Sequence, residues 1–147
     1  MKKQLNKAFT LLEMVFVLML ISLSLILAIP YAHQARVNYE SKVMLHNVMQ
    51  RYEYEYKKRI LSEGTVIMEF SKNTVKFKLS ASTPAKPEDT YTFPTEARFP
   101  VYRSLTLNQS GKSVDPQTIY FETPTRKYFI VFQFVGGGSY KIEEENR

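Results

Sequence analysis

The sequence predicts an α+β protein, with one long helix at the amino end followed only by strands. Three observations predict it. Phe9 to Ile29 is a run of 21 residues whose only charge is Glu13. Beyond it, Met44, Val48, Tyr52, Tyr56 and Ile60 recur every four residues, the spacing of a helix with one buried stripe. After Gly64 the chain turns to short alternating or β-branched runs separated by turn signals, which is strand patterning. Such an order packs as an antiparallel sheet with the helix against one face.

The apolar run is long enough to cross a bilayer core as a helix. Lys2, Lys3 and Lys7 precede it, and by the positive-inside rule they keep the amino terminus cytoplasmic and send the rest outside. The 147-residue chain carries a net charge of +6, half of it from these three lysines. What remains is a mildly basic surface, too weak to argue for nucleic acid on charge alone. The run ends in "LAIPYAHQA", where no small-residue cleavage site of a secretory signal peptide follows directly. A single-pass membrane segment with one small domain is therefore expected. Cysteine is absent, which excludes a disulfide framework and a thiolate metal site.

Glu13 does not suit a plain anchor. A charge at the bilayer centre costs about 2.5–3.5 kcal/mol on insertion scales, and such residues mark function by default. The local pattern is basic residues, then small Ala8, then "FTLLEM". This resembles the type III signal of type IV pilins and pseudopilins. The resemblance implies cleavage by prepilin peptidase between Ala8 and Phe9 and methylation of the new terminus at Phe9. It places Glu13 at the family's glutamate position, where the acid is an assembly contact that neutralises the terminal ammonium of a neighbouring subunit. The family usually has glycine before the cut, and this chain has alanine. Pro30, which closes the run, adds to the resemblance, and a kink or local break of the helix is expected there.

Past Pro30 the stripe is joined by Val37, Leu45 and Met49, and Arg36, Asn38, Glu40, Lys42, Asn47 and Lys57 occupy the opposite face. "YEYEYKKR" alternates as a strand would, yet Tyr52 and Tyr56 continue the helical spacing with no turn between them. Helix is expected to about Leu61, with Gly64 as its stop. "TVIMEF" and "TVKFKL" flank Ser71–Asn73 as a hairpin, with Val75, Phe77 and Leu79 facing one way. Four prolines make Ser80–Pro100 a loop or a set of weakly paired edge segments. "SLTL", "TIYFE", a central strand in "KYFIVFQFV", a turn at Gly136–Gly138 and a return strand in "SYKIE" complete the domain, and the tail "EEENR" is expected to fray. The resulting organisation is a leader at 1–8, a hydrophobic helix at 9–30, an amphipathic helix at 31–62 and an antiparallel β domain at 63–147. The pilin fold has this architecture, and the carboxy-terminal pattern from "LTLNQSGKS" to "GGGSYKI" is similar to that of minor pseudopilins.

Little here suggests catalysis. Ser110-Gly111-Lys112-Ser113 imitates the end of a phosphate-binding loop, but Thr106 stands where its first glycine belongs. His33 and His46 lack a third ligand at helical spacing, and no serine or histidine stands in a triad context. Neither metal, cofactor nor enzymatic activity is expected, and Glu143–Glu145 reads as a solvated tail. The resemblance implies a minor pseudopilin, most like the competence pseudopilins of Gram-positive bacteria that serve DNA uptake, with a type II secretion pseudopilin as the alternative. Its implied partners are prepilin peptidase, other pseudopilins, the membrane and, indirectly, an assembly ATPase and a polytopic platform protein. It would sit in the cell membrane, then in a surface filament. A rival of another class is a membrane-anchored DNA-binding module gripping DNA through Lys57, Lys58, Arg59, Lys76, Lys78, Arg126 and Lys127.

Overall fold

A computed structural model describes residues 10–61, 64–79, 86, 89–107, 116–133 and 138–146. Among these residues, helix α1 runs Leu11–Leu61 and is followed by seven strands: β1 (Val66–Ser71), β2 (Thr74–Lys78), β3 (Thr90–Thr92), β4 (Arg103–Leu107), β5 (Gln117–Glu122), β6 (Arg126–Phe132) and β7 (Tyr140–Asn146). The helix packs against antiparallel sheets, so the α+β class stands. The chain divides into two compact units, the first ending at Ala35 and the second beginning at Arg36.

The first unit is helical from Leu11, and every side chain from Thr10 to Ala35 is exposed. Helical backbone continues through Pro30 without the expected break. Proline at one position removes a single N–H donor and leaves the other helix bonds available.

In the second unit the helix buries Val37, Leu45, Val48, Met49 and Tyr52, and half-buries Met44 and Tyr56. The sequence places these on the stripe, and the structure lays that stripe against the aromatic core. Tyr52 is the centre of the contact: its ring lies 5.1 Å from Phe132 and 5.8 Å from Tyr140, both edge-on, and its hydroxyl donates to Gly138 O at 2.9 Å. Asn38, expected on the solvent face, is half-buried and donates from Nδ2 to Thr125 Oγ1 at 2.6 Å. Ser41 is wholly buried. Hydrophobic periodicity does not register a buried polar residue of this kind. Gly64 follows the helix with φ +128°, a conformation that favours glycine.

The strands form two sheets rather than the single sheet expected. One has the order β3-β2-β1-β4 and the other β5-β6-β7. Between them Arg98 and Glu122 form an isolated antiparallel bridge, and Gln117 Nε2 donates to Ser104 O at 3.3 Å. The hairpin β1–β2 pairs Ser71 with Thr74 across Lys72 and Asn73. Val75 and Phe77 are buried as expected, but Leu79 lies beyond the end of β2 and is exposed. Among its described residues, the Pro-rich stretch supplies the three-residue edge strand β3.

Strand β6 is central in its sheet, with Tyr128, Ile130 and Phe132 in the core. The tail does not fray where it is described: β7 pairs along its whole length, up to Arg126 opposite Asn146. Glutamates are poor strand formers, but here cations face them. Glu145 lies opposite Lys127, Glu144 is ion-paired with Arg126, and Glu143 pairs with Lys141 at 2.8 Å. Opposite charges across a ladder stabilise it, and a charged edge strand resists pairing with other chains.

Candidate functional site

The amino end of α1 and the basic residues of the second unit are the two candidates. At the first, Glu13 lies in the first turn of the helix. An acid suits that end, because its unpaired N–H groups carry partial positive charge. Its own backbone N–H donates to Thr10 Oγ1 at 3.3 Å, and Met14 N donates to Thr10 O at 3.2 Å. Thr10 therefore caps the helix. Thr10 and Glu13 have the T-x-x-E spacing of a capping box, a signal legible in the sequence that hydropathy alone passes over. Ala8 and Phe9, the expected cleavage pair, lie outside the described residues, as do Gly136 and Gly137. Gly138 has φ +77°, as a turn glycine should.

Around Glu13 the surroundings are uniformly apolar and open. Fifteen large hydrophobic side chains between Leu11 and Ile29 are exposed. The helix is long and apolar enough to cross a membrane. Exposed apolar surface on this scale demands lipid or protein around it.

The seven basic residues of the rival reading do not form one free patch. Lys57 is 75 % exposed beside Glu53 at 3.8 Å, and Lys58 lies 5.7 Å from the centre of the Tyr54 ring. Arg59 is buried, with Nη2 3.5 Å from the buried Glu55. Lys78 Nζ meets Glu69 at 2.7 Å, and Lys76 stands opposite Glu69 in the ladder. Arg126 pairs with Glu144, while Lys127 lies opposite Glu122 on one side and Glu145 on the other. Each of the four sheet cations in this set thus stands beside or opposite an acid.

Comparison with family models, curated proteins and solved structures finds no match for this chain.

The ion pairs of the helix's carboxy end were only partly legible in the sequence. Arg51 Nη2 donates to Asp89 Oδ1 at 2.8 Å and lies 2.9 Å from Glu55 Oε1. The i, i+4 spacing of Arg51, Glu55 and Arg59 is visible in the sequence, but Asp89 joins from 38 residues away. Among the described residues, no group of three or more His, Cys, Asp or Glu is placed to hold a metal ion.

Proposed function

We propose that this chain is a minor pseudopilin, cut by prepilin peptidase between Ala8 and Phe9 and assembled through its apolar helix into a short filament for DNA uptake. The observation that carries the reading is the lone acid Glu13 in the first turn of an exposed apolar helix. An acid entering a bilayer is costly unless a counter-charge meets it. A terminal ammonium from a neighbouring subunit is such a counter-charge, and cleavage before Phe9 creates it. The second support is the division of labour along α1, whose later half is consumed by the domain core while its earlier half keeps its whole surface for neighbours. The competence assignment rests on resemblance, in a small chain free of cysteine and tryptophan.

Processing is the direct test. Co-expression with prepilin peptidase should shorten the chain by eight residues, and mass spectrometry should find Phe9 at the amino terminus with one added methyl. Ala8→Val should block the cut and leave membrane insertion unchanged. Recovery of the full-length chain alongside an active peptidase refutes the reading.

A further inference from the structure

The last strand is held differently at its two ends. At its beginning Tyr140 is half-buried, its ring 5.8 Å from that of Tyr52 and 6.4 Å from that of Phe132. Its hydroxyl donates to Glu53 Oε1 at 3.1 Å. Residues 141–146 are all exposed, so burial of apolar surface does little to hold them. Glu143, Glu144 and Glu145 also repel one another, yet the strand stays paired up to Asn146. Cations from two other elements and from β7 itself offset that repulsion. Arg126 on β6 pairs with Glu144, and Lys42 on α1 reaches the same carboxylate group at 3.5 Å. Lys127 on β6 stands opposite Glu145, and Lys141 meets Glu143 at 2.8 Å. One exposed ion pair is worth little, but several on so short a stretch form a network.

We propose that residues 143–146 are an electrostatic clasp, which holds the end of β7 on β6 and comes free ahead of the rest of the domain when its charges are screened. Tyr140 stays in place, because ring contacts and burial hold it rather than ion pairs. Release uncovers the backbone of residues 126–129 of β6, whose partners on β7 are residues 143–146. An unpaired strand edge is where a sheet can join another chain. The clasp therefore decides whether this end of β6 is a sealed central strand or an open edge. Local opening of this kind draws on the weakest contacts of a fold. The inference uses no residue before Lys42 and stands apart from the filament reading.

The test is amide hydrogen exchange on the full chain in neutral detergent, read by mass spectrometry as protection relative to an unfolded chain. The hairpin β1–β2, with Met68, Phe70 and Phe77 in the core, is the internal reference. Raising sodium chloride from about 0.1 M to about 1 M shortens the screening length from about 10 Å to about 3 Å. Protection of residues 143–146 should then fall by about fivefold or more, while that of the hairpin changes by less than about twofold. Replacing the three acids together (Glu143→Gln, Glu144→Gln, Glu145→Gln) should produce the same loss at low salt and abolish its salt dependence. If mutual repulsion of the acids dominated instead, the triple variant would gain protection. Arg126→Glu should also open the clasp, and adding Glu144→Arg should close it again by restoring the pair with its charges exchanged. Protection at residues 143–146 that is indifferent to salt, or raised in the triple variant, overturns the proposal. So does loss of protection in β7 and the hairpin together, which is global unfolding.

Discussion

The two halves of α1 are one continuous element by backbone and two different objects by surface. From Thr10 to Arg36 every side chain is exposed. From Val37 onward a buried residue returns at Ser41, Leu45, Val48, Tyr52, Glu55 and Arg59, every three or four positions. The earlier half is apolar on all sides, so no single face of it is assigned to a partner; the later half is amphipathic, and its stripe has a fixed partner in the strands. Helix formation and burial are thus separate consequences of the sequence. An all-round apolar helix reads as a segment whose partners lie outside its own domain.

Removing the later half should give the largest effect. A fragment of residues 64–147 loses the cover that Leu45, Val48, Met49 and Tyr52 give the core, and should be insoluble or unfolded, whereas residues 31–147 should give a folded, soluble domain. Equal urea stability of the two fragments would show that the stripe contributes nothing. Next comes Glu13, where charge and cap can be separated. Glu13→Leu removes both, and filament assembly should be lost while insertion is unharmed or improved. Glu13→Gln keeps the side chain that a capping box accepts but removes the charge. If the charge is the assembly contact, Glu13→Gln fails as Glu13→Leu does; assembly retained in Glu13→Gln assigns the residue to the cap instead.

A smaller effect sharpens the comparison at single side chains. Tyr52→Ala should cost about 3–5 kcal/mol, the range for large aromatics removed from a core, while Leu18→Ala, on the open half, should leave domain stability within about 0.5 kcal/mol. Denaturant melts of the full chain in detergent measure both. The smallest effect concerns Tyr140, whose hydroxyl donates to Glu53 Oε1 at 3.1 Å. Burial, then that hydrogen bond and the charge of Glu53, raise its pKa above the usual tyrosine value. The folded state therefore holds the phenolic proton longer than the unfolded chain does. This contribution is complete below about pH 10 and is lost as pH rises above that value. Tyr140→Phe should flatten the decline in melting midpoint above about pH 10; an unchanged pH profile would show that the contact carries no linkage.

Much of this was legible from local patterns. Tyr52 and Tyr56 settled "YEYEYKKR" as helix, and the structure ends that helix at Leu61. The hairpin and the strands around "TIYFE" and "KYFIVF" followed from alternation and turn residues, which are properties of neighbours in sequence. What stayed hidden depends on distant partners. Nothing near Leu105 or Ile119 says that β4 and β5 end one sheet and begin another. "EEEN" becomes a strand only because Arg126 and Lys127 lie opposite, and Asn38 is drawn inward by Thr125, 87 residues on. At the amino end, Glu13 stood out by its charge against an apolar background. The ion pairs around Arg51 were only partly visible, since Asp89 joins Arg51 and Glu55 only through folding.

The contact between Lys42 and Glu144, at 3.5 Å across 102 residues of chain, has a consequence for biosynthesis. At about 5–20 residues per second, a ribosome needs roughly 5–20 s to make the strand that completes the wall around this stretch of helix. During that interval the stripe from Val37 to Tyr52 has emerged without the last strand of its enclosure, next to a still more hydrophobic segment already made. The nascent chain is at its most vulnerable to self-association then, and a holdase acting before Glu144 is synthesised should raise the yield more than one added after release.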